Sequence, residues 1–297
     1  MVCNIAIEFG YPRLRNLMTV FRLFMLTTLT MLAFACNSIL CRLALKDGSI
    51  DAGSFTLIRL LSGAIMLWLL SLNKPAPEAK GHWSSALALF VYAAGFSYAY
   101  INMTASMGAL LLFGAVQATM IGYGLYRKEP FNTRQWFGLA CAAAGLLFLL
   151  LPGLSAPPLL SSLLMISAGV AWGIYSIKGK GAQHPIPISA GNFIRTVPMA
   201  LLLLLLVRDP LAVSQMGIIY ALVSGAIASG LGYAIWYSIL PLLSPTYAAT
   251  VQLSVPLIAA VGGVLLLGEP LSLRLLAASC AILGGIALVV LSKSAPQ

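Results

Sequence analysis

Ten apolar stretches follow one another along this chain of 297 residues, and each has, or nearly has, the length needed to cross a membrane. They lie roughly at 23–43, 53–72, 84–103, 105–126, 135–151, 160–178, 189–207, 216–239, 245–267 and 273–291. A hydrocarbon core about 30 Å thick needs about 20 apolar residues of helix. Lipid offers no hydrogen-bond partner to the backbone, so the stretches predict an all-α integral membrane protein with ten transmembrane helices.

Composition excludes a water-soluble fold. Hydrophobic residues make up 60% of the chain and charged residues 8%, and the mean hydropathy is +0.97. Soluble domains carry about 25% charged residues. With so few charged side chains the formal net charge of +10 is not a sign of nucleic-acid binding. We expect the bilayer and a small-molecule solute as partners.

An internal repeat divides the chain into two halves. A Glu-Pro pair at 129–130 recurs at 269–270. At the same offset Gly122, Leu125, Arg134, Gly145 and Leu151 match Gly262, Leu265, Arg274, Gly285 and Leu291. At a slightly smaller offset, Ala35, Arg42, Ile58 and Arg59 match Ala171, Lys178, Ile194 and Arg195. The series predicts five-helix repeats at 23–151 and 160–291, with a cytoplasmic segment 1–22, a linker 152–159 and a tail 292–297.

The distribution of Lys and Arg indicates the orientation. If the N-terminus is cytoplasmic, that side holds most of them and the opposite side only Arg42, Lys46, Arg208 and Arg274. Cytoplasmic loops are rich in Lys and Arg, so both termini are predicted to be cytoplasmic. Five spans per half is an odd number, which makes the repeats inverted. Inverted repeats around a central site are typical of transporters.

Several segments resemble a known family. They are Ala168-Gly169-Val170-Ala171-Trp172-Gly173, its counterpart Ala33-Phe34-Ala35-Cys36-Asn37-Ser38, the two Glu-Pro turns followed by Gly145 and Gly284-Gly285, and Leu253-Ser254-Val255-Pro256-Leu257. The chain resembles the EamA-type carriers of the drug/metabolite transporter superfamily over nearly its whole length. It departs from them at Val116, where the first half would carry a Pro, and at Cys36, where it would carry a Trp. The resemblance implies two five-helix halves around a central cavity and alternating access, often for export of amino acids, metabolites or drugs. We expect the protein in a bacterial inner (plasma) membrane.

Polar and aromatic residues at membrane depth are candidates for the solute path, because they are unfavourable there unless they face a cavity or another helix. The candidates are Asn37, Tyr98, Tyr100, Asn102, Gln117, Trp172, Tyr175, Trp236, Tyr237 and Gln252. Amides both donate and accept, which suits polar solutes. The alternatives are interhelical hydrogen bonds for the amides and an interfacial belt for the aromatic residues.

Charged residues within or beside the spans have two interpretations each. Arg59 and Arg195 could contact a substrate carboxylate, or anchor helix ends and snorkel to the headgroups. The Glu-Pro turns, Glu129, Pro130, Glu269 and Pro270, are interpreted as helix turns. There Pro starts a helix and Glu favours its N-terminus.

Enzyme chemistry finds no support in the sequence. His82 and His184 lie in predicted loops, and none of the familiar hydrolase, metalloprotease or phosphate-loop motifs occurs. The five cysteines have no metal-ligand spacing, so no metal or cofactor is expected. Besides a solute transporter, a lipid-handling carrier or a non-transporting membrane scaffold or chaperone fits the sequence.

Overall fold

A computed structural model describes residues 12–72, 81–128, 130–153, 156–179, 182–207, 212–243 and 245–292. Within these ranges the chain is helical apart from short connections. The α-helices are α1 Pro12–Lys46, α2 Ala52–Leu72, α3 Trp83–Tyr100, α4 Ala105–Tyr126, α5 Thr133–Leu150, α6 Leu159–Gly179, α7 Pro185–Val207, α8 Gln215–Leu222, α9 Gly232–Ile239, α10 Pro245–Gln252, α11 Ser254–Leu267 and α12 Leu273–Ser292. A π-helix, Val223–Leu231, joins α8 to α9, and a 3₁₀ turn, Leu240–Leu242, follows α9.

The prediction of an all-helical integral membrane protein is confirmed. Nine helices in the described ranges are long and apolar enough to cross a membrane. In this count Gln215–Leu242 is one helix, and α11 together with the end of α10 is another. Helix α3 is 18 residues long, as long as α5, but it is richer in Tyr and Ser and is not among the nine. The count of ten stays a prediction. Helix α1 begins at Pro12, inside the segment 1–22 that was expected to precede the first helix.

Helix starts follow local capping chemistry. The Asn132 side chain accepts from the Gln135 N–H while the Gln135 side chain accepts from the Asn132 N–H, which together form a capping box at the start of α5. At the start of α12, Ser272 Oγ accepts from the Leu275 N–H over 3.1 Å. Asn132 and Ser272 are separated by the same offset as the two Glu-Pro pairs, so both caps occupy equivalent repeat positions.

The helix pairs with the most extensive packing form a recurring pattern. Helix α5 packs along α12 and α2 along α7, and each pair joins equivalent helices of the two halves. Helix α3 contacts α6, and the corresponding contact in the other half is between α1 and the span formed by α8, the π-helix and α9. The contact of α4 with α6 has its counterpart in α1 with α11. This is the pattern that two similar halves produce when they pack face to face.

Glycines bring α5 and α12 into close contact. A Cβ added to Gly145 would lie 3.1 Å from the Ile282 nitrogen, and one added to Gly285 would lie 2.7 Å from the Ala142 nitrogen. Gly285 and Ile282 are the repeat partners of Gly145 and Ala142, so the two contacts are equivalent. Small residues let membrane helices approach closely enough for dispersion contacts between backbones.

The turns before the two Glu-Pro pairs share an unusual backbone conformation. Lys128 has φ of 58° and Gly268 has φ of 63°, and each directly precedes the Glu of its own pair. Within the described ranges Lys128 is the sole residue other than glycine with positive φ. Non-glycine residues rarely adopt this left-handed region. Lys128 adopts this left-handed conformation although it is not a glycine, which indicates that both turns use the same backbone geometry.

Candidate functional site

A cavity lies where α1, α3, α4, α6, the π-helix and the start of α9 meet. The space that it encloses is small, about 20 Å³, which is room for about one water molecule. Aromatic side chains form most of its wall, and polar side chains enter from two helices, α1 and the π-helix. The aromatic residues are Phe34, Tyr92, Phe96, Phe113, Trp172 and Tyr233, and the polar ones are Asn37, Ser38 and Ser229.

A buried polar chain runs through the cavity wall. Ser224 Oγ donates to Asn37 Oδ1 over 2.6 Å, and Asn37 Nδ2 donates to the Tyr92 hydroxyl over 3.3 Å. These side chains come from the π-helix, α1 and α3, and Asn37 is 5% exposed. Buried polar groups are normally hydrogen-bonded, and these two bonds fix the orientation of the amide in the cavity wall.

Arg59 on α2 extends the chain. Its Nη2 donates to the same Tyr92 hydroxyl over 2.9 Å, and its Nε donates to Ser229 Oγ over 3.4 Å. The guanidinium carbon also lies 4.8 Å from the ring centroid of Phe96 and 5.2 Å from that of Tyr92. Arg59 is 2% exposed and is among the largest fully buried side chains in the described ranges.

The π-helix allows Arg59 and Ser229 to meet. A Cβ on Gly225 would overlap the Arg59 carbonyl oxygen and Ser62 Oγ, and a Cβ on Gly230 would lie 2.9 Å from Met66 Cβ. These two glycines therefore let the π-helix pack directly on the α2 backbone. The wider π turn lies between them, and such turns are frequent at functional sites.

The aromatic wall is centred on Trp172 of α6. Its ring lies 4.9 Å from Tyr92, 5.0 Å from Tyr233 and 5.4 Å from Tyr175, measured between centroids. Tyr175 stacks on it at an interplanar angle of 27°, and the Tyr175 hydroxyl contacts Ser189 Oγ at 3.4 Å. Tilted and stacked aromatic pairs of this kind give a rigid apolar surface for a planar or aliphatic group.

The structure brings three of the predicted path residues to one place. Asn37 and Trp172 line the cavity, and Tyr175 packs directly behind Trp172. Trp236 lies nearby against Phe34, with ring centroids 6.1 Å apart.

The other predicted path residues lie away from the described cavity wall. Tyr100 donates to the Ala105 carbonyl at the turn into α4, Gln252 bonds to the Ala248 carbonyl of its own helix, and Asn102 is exposed in the α3–α4 turn. Gln117 is buried on α4, Tyr98 approaches Gly53, and Tyr237 approaches Gly179.

The two arginines that match in the repeat have different surroundings. Arg195 Nη1 donates to the Gly191 carbonyl of its own helix over 2.8 Å, and its guanidinium carbon lies 5.7 Å from the ring of Trp83. Trp83 is 60% exposed at the start of α3, so Arg195 reaches toward a helix end. Arg59 instead points into the molecule. The repeat therefore does not give both arginines the same neighbours.

The second Glu-Pro turn forms a cluster at one end of the bundle. Glu269 Oε1 lies 3.2 Å from Arg42 Nε, and Glu269 Oε2 accepts from the Ala105 N–H over 2.8 Å. Arg42 Nη1 also donates to the carbonyls of Tyr100 and Ile101. The carboxylate was expected at the N-terminus of its own following helix, and it instead caps α4. The prediction that Pro130 and Pro270 start the following helices is wrong, because both lie in the turns before α5 and α12, whose first turns are capped by Asn132 and Ser272. Glu129 lies outside the described residues.

Sequence reasoning missed the residues that complete the network. Tyr92 lies in the middle of the third apolar stretch, and Ser224 and Ser229 lie inside the eighth, with Tyr233 one turn later. Their depth in the spans was a usable signal, but single hydroxyls are common in membrane helices. In the described part of the chain, no three His, Cys, Asp or Glu side chains lie close enough to hold a metal.

Comparisons with known proteins agree with this architecture. The model of the EamA-like transporter family matches residues 159–291, the second half of the chain. An uncharacterized protein of Pseudomonas aeruginosa, PA1977, is 56% identical over 271 residues, which cover 91% of this chain and 94% of that protein. One crystal structure superposes with a TM-score of 0.67 at 16% identity, covering 93% of this chain and 99% of the other, and so shares the fold.

Proposed function

Because the chain belongs to the EamA-like transporter family of the drug/metabolite transporter superfamily, we propose that it moves a small organic solute across the membrane through the central cavity. The solute is a metabolite, an amino acid or a drug-like compound, and the direction is export. The membrane is the inner membrane of a bacterium, with both termini cytoplasmic.

The buried polar chain in the cavity carries this proposal. Asn37 and Arg59 both donate to the Tyr92 hydroxyl, among aromatic side chains at membrane depth. Polar groups at membrane depth mark solute paths where they face a cavity, and Asn37 and Tyr92 do so, which supports recognition of a polar group of the solute. The adjoining aromatic wall supplies a surface for the apolar part of the same solute.

The repeat supports alternating access as the mechanism. Equivalent helix contacts, the equivalent glycine contacts between α5 and α12, and the shared backbone conformation of Lys128 and Gly268 are all properties of two similar halves. With five spans in each, the halves are inverted, and a rocking motion can then exchange one open face for the other. The ion pair between Arg42 and Glu269 joins α1 to the turn before α12 and stabilises closure at that end.

Flux in proteoliposomes tests the proposal. Vesicles are loaded with a defined mixture of amino acids, organic acids, nucleosides and amphiphilic drugs, and retention of each compound is followed by mass spectrometry. We expect at least one compound to leave faster from vesicles with wild-type protein than from protein-free vesicles. Asn37→Ala and Trp172→Ala should slow this flux by about tenfold or more, since each removes part of the cavity wall.

A matched control separates the cavity from general damage. Trp68 is 49% exposed on the outer side of α2, so Trp68→Ala should leave flux unchanged. Equal retention of every compound with and without protein would contradict the proposal and favour the scaffold. Movement of a fluorescent lipid between leaflets in place of solute flux would favour the lipid-handling carrier.

A further inference from the structure

We propose that the cavity binds an organic anion at Arg59, and that the transported solute carries a single carboxylate beside an apolar body. This inference rests on the proposed function, because it names the solute class for the same cavity. It follows from the charge balance around one side chain.

Arg59 is a buried cation without an acidic partner in the described part of the chain. There the sole ion pair within 4.0 Å joins Arg42 to Glu269, at one end of the bundle. Asp51, at the start of α2, accepts from the Ser54 N–H instead. A charge removed from water is unfavourable unless an opposite charge or several hydrogen bonds replace the water. An anionic ligand would supply the missing charge.

The hydrogen bonds that Arg59 does make leave its guanidinium partly unsatisfied. Tyr92 and Ser229 accept from Nη2 and Nε, and the rings of Phe96 and Tyr92 face the cation. Nη1 is fully buried and has no hydrogen-bond partner. The guanidinium therefore keeps one donor group, and its positive charge, without a partner.

Every side chain that holds the guanidinium also lines the cavity. Tyr92, Phe96 and Ser229 contact Arg59 and line the cavity, whereas Arg59 itself is not among the lining residues, so an anion in the cavity lies about one side-chain layer from the cation. At low dielectric that charge is weakly screened. The Tyr92 hydroxyl accepts from both Arg59 and Asn37, which leaves its own proton available to donate to the anion.

The other residues that line the cavity indicate the chemistry of the rest of the solute. Phe34, Trp172 and Tyr233 give an aromatic surface, and no acidic side chain is among the described cavity residues. A cationic solute would therefore meet the field of Arg59 without a counter-charge. A carboxylate with an aromatic or branched apolar group satisfies both parts of the site.

Three ligands with one body and different charges test the inference. The probes are 3-phenylpropionate, 3-phenylpropan-1-ol and 3-phenylpropylamine, and binding to the purified protein is measured from the shift of thermal unfolding with ligand concentration. We expect the propionate to bind at least about tenfold more tightly than the alcohol, and the amine most weakly, because hydrogen bonds to a charged acceptor are the stronger ones.

Variants of Arg59 separate charge recognition from a packing role. Arg59→Met should abolish the preference for the propionate, whereas Arg59→Lys should keep it in weakened form. The matched control is Arg195→Met, at the equivalent repeat position away from the cavity, which should keep the preference of the wild type. If Arg59→Met fails to fold, Ser229→Ala and Tyr92→Phe together should lower the preference several-fold.

Three results would overturn the inference. They are equal or tighter binding of the alcohol or the amine, no effect of millimolar propionate on wild-type unfolding, and an undiminished preference in Arg59→Met. The flux measurement distinguishes these from failure of the proposed function. Export of a neutral or cationic solute would contradict the anion site but agree with transport through the cavity. Absence of flux for every compound would contradict the proposed function itself.

Discussion

Arg59 on α2 donates through Nη2 to the hydroxyl of Tyr92 on α3, over 2.9 Å. This contact joins the one fully buried cation of the described spans to the polar chain through Asn37 and Ser224. Tyr92 therefore occupies the centre of the network, with its ring in the cavity wall and its oxygen shared by two donors. The function that we propose depends on this arrangement.

The Tyr92 hydroxyl is expected to matter for stability as well as transport. Tyr92→Phe keeps the ring but leaves Arg59 Nη2 and Asn37 Nδ2 without an acceptor, which should lower the free energy of unfolding by about 1–3 kcal/mol. It should also slow flux of the transported solute. Unfolding in mixed micelles and flux in proteoliposomes provide the two measurements.

Tyr123→Phe is the control for that variant. Tyr123 is 44% exposed on α4, so its hydroxyl is not needed inside the bundle. We expect both stability and flux to stay at the wild-type level. A Tyr92→Phe protein that matched Tyr123→Phe in both measurements would show that the polar chain is dispensable.

The sequence allowed the class of fold to be predicted because hydropathy and length are local properties. Apolar runs broken by turn residues suffice to place membrane helices, and matching residues at fixed offsets predict a repeat. Helix α3, predicted at 84–103, has the weaker apolar signal, because several buried tyrosines and serines lower its hydropathy. Residues that build a cavity weaken the signal by which spans are found.

The candidate site was only partly predictable, since it depends on which helix faces meet. Asn37 and Trp172 were predicted from their polar or aromatic character at membrane depth, and both line the cavity. Repeat symmetry suggested equal roles for Arg59 and Arg195, but a repeat fixes backbone placement and not every side-chain neighbour. The partner of Arg59, Tyr92, comes from another helix, and that pairing is tertiary information.

The Arg42–Glu269 pair should contribute a measurable coupling. A double-mutant cycle with Arg42→Gln, Glu269→Gln and the double variant isolates the pair from the other hydrogen bonds that each residue makes. Both side chains are largely buried, at 14% and 6% exposed, so we expect a coupling of about 0.5–3 kcal/mol. A coupling near zero would show that the pair does not hold this end of the bundle closed.

Two neighbouring glycines of α12 should respond differently to the same substitution. A Cβ on Gly285 would lie 2.7 Å from the Ala142 nitrogen, whereas a Cβ on Gly284 would meet nothing within 4 Å. Gly285→Ala should therefore destabilise the protein by about 1–3 kcal/mol through overpacking. Gly284→Ala should be neutral or stabilise the helix by up to about 1 kcal/mol. Thermal unfolding of the two variants compares them, and equal effects would contradict the close α5–α12 contact.

Cysteine labelling tests whether the repeats are inverted. Asp47 and Gln183 are separated by the same offset as Arg59 and Arg195, so they occupy equivalent repeat positions, and both are exposed in helix connections. With the native cysteines replaced, Asp47→Cys and Gln183→Cys should react with a membrane-impermeant maleimide from opposite faces of the membrane. Labelling of both from one face would require parallel halves and an even number of spans between them.

The most direct measurement of the central claim is the accessibility of the cavity itself. Ser38 lines the cavity and is 1% exposed, so Ser38→Cys in a protein without other cysteines reports on solvent that enters it. In vesicles of one orientation, impermeant maleimide is applied from either face, with and without transported solute. Alternating access predicts labelling from both faces and slower labelling when solute occupies the cavity. Labelling from one face only, unaffected by any solute, would contradict transport through this cavity.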